Sequence, residues 1–85
     1  MSVITNGTAT STPANALADG HNYLHAYIVA EAADMHVNIG ADAGAAAGQL
    51  IKSGAGQLFT NLGGKRVSVH CGTSTAYSIR EALNG

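Results

Sequence analysis

The chain has 85 residues, of which 46% are apolar and 11% charged, with a formal net charge of −1. So little charge excludes the electrostatic footprint that nucleic acid or an anionic membrane would require. Its large core formers are six Leu, five Ile, five Val and one Phe, against 16 Ala, thin material for a domain that buries only about 60% of its unfolded surface.

A surface this poor in charge lacks the repulsion that keeps isolated domains apart. Interface cores are likewise depleted in charge. Assembly with further copies is therefore expected ahead of an ordinary domain with a Ser/Thr/Asn-rich surface. The start, Met1-Ser2-Val3-Ile4-Thr5-Asn6-Gly7, has neither a basic n-region nor an apolar h-region, so no signal peptide is expected. No apolar stretch approaches the ~18 residues of a membrane span. Cys71 stands alone, which excludes an internal disulfide and suits a reducing compartment. The Asn6-Gly7-Thr8 sequon then carries no meaning.

Residues 1–20 are rich in Ser, Thr, Asn and Ala, with the only proline at Pro13. Val3-Ile4-Thr5 and Thr8-Ala9-Thr10 read either as strand at a sheet edge or as an extended arm. A strand there must stop before Pro13, which has no N–H for a ladder. Val3 and Ile4 are the only large apolar groups in Ser2–Thr12. Burying both offsets less than ordering a dozen residues costs, at about 1–2 kcal/mol each. The segment is therefore expected to order against another subunit, as an arm over 1–20 preceding a domain over 21–85. Asp19-Gly20 closes it with a turn.

From Tyr23 to Met35 two patterns compete. Leu24, Tyr27, Ile28 and Met35 follow a helical stripe and the alanines favour helix. The dense aromatic and β-branched run Tyr23–Val29 favours a pleated surface. Met35-His36-Val37-Asn38-Ile39 alternates with the period of a half-buried strand. A hairpin turning at Glu31-Ala32-Ala33-Asp34 satisfies both segments. Gly40–Gly48 (GADAGAAAG) reads as a flexible loop with no large side chain to pack. Strands follow at 49–52, 57–60, 66–70 and 75–81, separated by turns at 53–56, 61–64 and 71–74, with Gly54-Ala55-Gly56 read as a hairpin turn. Tyr77 and Ile79 share a face. The fold class is all-β: a small antiparallel β-sandwich or jelly-roll-like barrel with an extended N-terminal arm, and no helix beyond two turns.

Chemistry-bearing motifs fail on inspection. Gly64-Lys65 lacks the glycine five positions earlier, where Phe59 stands, and Arg66 occupies the place of the magnesium-binding hydroxyl. Gly54-Ala55-Gly56 lacks the third glycine of a dinucleotide fingerprint. His21 and His25 have the spacing of a zinc-binding helix, but the strand reading removes the helix and no glutamate lies between them. His70 and Cys71, adjacent on a strand, point to opposite faces and form no dyad. Cys71 reads as a small buried apolar residue beside a turn. Asp19, Glu31, Asp34, Asp42 and Glu81 read as solvated carboxylates at strand ends. No catalytic residue, metal or cofactor is expected. The interface candidates are Val3, Ile4, His25, His36, Asn38 and Ser68, since moderately polar strand positions hydrogen-bond without the desolvation cost of a full charge.

One ordered pattern spans Tyr23 to Glu81. Tyr23-Leu24 leads to Val37-Asn38-Ile39-Gly40, then Gly48-Gln49-Leu50-Ile51, Gly54 and Gly56 ahead of Leu58, and a closing Gly72-Thr73-Ser74-Thr75-Ala76 with Tyr77-Ser78-Ile79-Arg80-Glu81. The pattern resembles small β-sandwich structural proteins of tailed bacteriophages, of the capsid decoration (cement) or head-fibre type. The resemblance implies a virion protein made in the host cytoplasm, carried on the capsid surface and bound to the major capsid protein. It also implies self-association as a homotrimer. The alternative is a fibre or tail-associated binding module, lectin-like, presenting loops to a host glycan.

Overall fold

The computed structural model describes residues 5–20 and 23–83. Eight strands run in chain order: β1 (Thr5–Thr10), β2 (Ala14–Leu17), β3 (His25–Ala30), β4 (Met35–Ile39), β5 (Gln49–Ile51), β6 (Gly56–Phe59), β7 (Val67–His70) and β8 (Ser74–Leu83). They form two four-stranded antiparallel sheets, ordered β1-β8-β3-β6 and β2-β7-β4-β5. No described residue is helical. The apolar stripe at 24, 28 and 35 is thus broken up, with Leu24 in the bend before β3, Ile28 in β3 and Met35 in β4.

The pairing is nested. β1 pairs with β8, β2 with β7, β3 with β6 and β4 with β5. A long hairpin of four strand pairs, folded over on itself, gives this order, which is that of a jelly roll. The shortest dimension, 16 Å over Cα atoms, suits two sheets stacked about 10 Å apart.

Period-two alternation decides what lies between the sheets. β3 turns Ala26, Ile28 and Ala30 inward, and β8 turns Tyr77 and Ile79. Facing them are Met35 and Val37 of β4, Val67 and Val69 of β7, Leu17 of β2 and Ile51 of β5. Leu62 and Cys71 close the core from the connections. Cys71 is buried, as its place beside a turn led one to expect.

Three expectations are corrected. β3 and β4 are not a hairpin, because they lie in opposite sheets and the connection at 31–34 passes from one sheet to the other. Their apolar faces both point inward, and two strands facing each other across a core cannot also be ladder neighbours. The hydroxyl of Thr75 on β8 accepts from the amides of Ala32 (2.9 Å) and Ala33 (3.0 Å) and so fastens this crossing. The turn at 53–56 is real, with Ala55 N donating to Lys52 O at 2.9 Å and Gly54 at φ 78°. It too joins one sheet to the other, so it is no hairpin.

The third concerns the arm. Its first residues, Val3 and Ile4 among them, lie outside the described residues. From Thr5 onward the stretch supplies an edge strand to each sheet of its own chain, rather than to another subunit. Thr5–Thr10 pairs residue for residue with Ile79–Ser74, and Ala9 is fully buried. A continuous ladder stabilises this segment without large side chains, which an account of apolar burial alone omits. β1 ends before Pro13, as that residue requires.

Candidate interaction surface

Alternation on β4 and β7 sends His36, Asn38, Ser68 and His70 to the outer face of the second sheet. The ladder sets His36 opposite His70 and Asn38 opposite Ser68. Leu50 on β5 flanks His36 from the other side. This face has two halves.

One half is closed by residues 40–48. Ala43 N donates to Ser68 Oγ at 2.9 Å, and Asn38 Nδ2 donates to the Asp42 carbonyl at 3.1 Å. Gly40 N donates to Arg66 O at 2.8 Å. The Arg66 guanidinium reaches the Asp42 carboxylate at 2.7 Å and Asn15 Oδ1 at 3.1 Å. Gly48 adopts φ 110°, and a Cβ there would collide with the Val37 carbonyl, so this position demands glycine. The segment read as a flexible loop is therefore pinned, by main-chain bonds and one ion pair instead of large side chains. Ser68 is 0% exposed beneath it and offers nothing to a second chain.

The other half, His36, His70 and Leu50, is partly open. Nδ1 of His70 is buried without a hydrogen-bond partner, as is Nδ1 of His25. Beside His36, Asp34 accepts from Ser53 N at 2.8 Å and pairs with Lys52 at 3.5 Å. The Ser53 amide holds the Asp34 carboxyl below its usual value against the opposing effect of desolvation, with Lys52 and then His36 adding smaller lowering effects. Asp19 likewise accepts from Arg66 N at 2.8 Å. Three of the carboxylates read as merely solvated thus fasten strand ends.

The outer face of the first sheet is more apolar. β3 presents His25, Tyr27 and Val29, all partly exposed, and β6 sets Leu58 opposite Tyr27. Leu58 is 55% exposed, the most open large apolar side chain among the described residues. The Tyr27 ring lies across Gly56 on β6. Arg80 donates through Nε to Ser78 Oγ at 3.3 Å along the same face.

The sequence-derived candidates therefore do not form one surface. His36, Asn38 and Ser68 share the second sheet, His25 sits on the first, and Val3 and Ile4 lie outside the described residues. Tyr27, Val29 and Leu58 were missed. The signal for Leu58 was present in Leu58-Phe59, since two successive apolar strand residues cannot both face one core. Among the described residues no three His, Cys, Asp or Glu side chains gather as a metal centre. No helix there is long and apolar enough to cross a membrane. Comparison with protein-family models, curated proteins and solved structures returns no match.

Proposed function

We propose that the protein is a non-enzymatic structural protein of a virion, a capsid decoration or cement protein that binds the outer surface of the assembled head and stabilises it. The observation that carries this reading is the nested pairing of a jelly roll, an architecture used by viral capsid domains and shared with lectin domains. It is joined by the low charge, the apolar strip of exposed Leu58 with half-buried Tyr27 and Val29, and the resemblance to phage head proteins. Fold alone does not assign function, so the reading rests on these together.

The mechanism is mass action. A protein that binds the closed shell and not its free subunits stabilises the shell by RT ln(1 + [L]/Kd) per site. Self-association as a homotrimer places one face of the sandwich against a different face of the next copy, since a closed ring needs a heterologous contact. The lectin-like alternative needs aromatic side chains on loops. Tyr23, the one aromatic in a described loop, packs against the core instead.

The test mixes purified protein with capsids and with unassembled capsid subunits. Co-sedimentation with the shell alone, and a higher shell disruption temperature, are expected. Equal binding to free subunits, or retention on a glycan array without capsid binding, overturns the proposal.

A further inference from the structure

We propose that His36 and His70 chelate a divalent transition-metal ion of the zinc, nickel or copper class on the outer face of the β2-β7-β4-β5 sheet. The two residues are directly opposed in the antiparallel β4–β7 ladder. Opposed positions hold their Cβ atoms about 4.5–5.5 Å apart. Two imidazoles at that separation can converge on one ion at the usual Zn–N length of about 2.0–2.1 Å.

Three further observations favour an ion there. Both side chains are partly exposed, so an ion and its remaining water ligands have access. Nδ1 of His70 is buried without a partner, and an orphaned polar atom is a group that an ion or a water satisfies. Both histidines sit on the two inner strands of their sheet, so ligation orders little that is not ordered already.

The neighbourhood is compatible. Leu50 flanks His36 on β5. Asp34, two residues before His36, is held by Ser53 N and paired with Lys52, so the carboxylate and ammonium beside the site offset each other. Imidazole ligands suit zinc, copper and nickel, while magnesium and calcium prefer oxygen. Two protein ligands make an exchangeable site completed by water rather than a structural centre. The inference is independent of the capsid reading.

The experiment titrates Zn²⁺ into the intact chain by calorimetry while following histidine ring resonances by NMR. Saturable binding of about one ion per chain is expected. The rings of His36 and His70 should shift together, and Ni²⁺ should broaden the same two. His36→Gln and His70→Gln should each weaken binding by about tenfold or more, as loss of one arm of a chelate does. His25→Gln, on the other sheet, should leave binding intact. The unmutated chain decides the matter even if a variant misfolds, since its own ring shifts identify the ligands. The proposal is overturned by no saturable binding, by shifts that spare either ring, or by loss of binding in His25→Gln. A stoichiometry of half an ion per chain also overturns it, by assigning the ion to a contact between copies.

Discussion

The ring of Tyr77 covers Gly7, its opposed partner in the β1–β8 ladder. A Cβ built on Gly7 would stand 2.5 Å from the Tyr77 hydroxyl oxygen and 2.7 Å from Cζ. The first sheet repeats this device at its other edge, where Tyr27 of β3 lies across Gly56 of β6. Each edge strand thus carries a glycine roofed by a tyrosine from the adjacent inner strand, an aromatic cover for a residue that is otherwise poor in a strand. The two sites differ in burial: Tyr77 is buried and Tyr27 partly exposed.

Gly7→Ala should therefore destabilise the fold by about 1–3 kcal/mol through overpacking. Gly56→Ala should cost less, because the Tyr27 ring has solvent to swing into. Urea denaturation midpoints at constant slope measure both. Adding Tyr77→Leu to Gly7→Ala should recover part of the loss as a coupling between neighbours. Equal costs at the two glycines would defeat the argument.

Burial raises the Tyr77 phenol above its ordinary value of 10.0. The folded state then holds that proton more tightly than the unfolded chain does. This contribution is complete below pH 10.0 and is lost as pH rises through the folded value. Thermal melts across pH 9 to 12 should show an alkaline decline that Tyr77→Phe reduces. An unchanged decline in the variant would assign it to other groups.

At the acid end the sign reverses. Asp34 lies below its ordinary value of 3.8, chiefly through the Ser53 amide. Its contribution is present above that value and fades as pH falls through the folded one. Asp34→Asn should flatten the acid limb of the same melts, by a small amount because the group is exposed.

Thr75→Val removes the acceptor shared by the Ala32 and Ala33 amides. A loss of about 1–2 kcal/mol is expected, with faster amide exchange at those two residues. Thr75→Ser keeps the oxygen and should keep most of the stability. Slow exchange in the valine variant would show that the crossing is held elsewhere.

Ser68→Ala should release residues 40–48 from the sheet beneath. The expected cost is about 1 kcal/mol, read most directly as faster exchange of the Ala43 amide. Protection at Ala43 unchanged from the parent would mean that Arg66–Asp42 and Gly40 hold the segment without Ser68.

The chain itself determined most of its strands, although no local pattern marked β2 at Ala14–Leu17. Alternation at Met35–Ile39 and Val67–His70, turn chemistry at Gly54 and Gly63-Gly64, and the stop at Pro13 are local signals, legible because side-chain period and backbone conformation act within a few residues. They also specified which side chains face inward. What they left open was the partner of each strand. That His36 meets His70, that 31–34 and 53–56 cross between sheets instead of turning hairpins, and that Ser68 lies beneath Ala43 all depend on residues distant in the chain. The ladder bonds are chemically alike for every strand, so the pattern of any one strand cannot name its neighbour. Only closing the nested hairpin around a single core, with each apolar face set against another, selects β1-β8-β3-β6 and β2-β7-β4-β5.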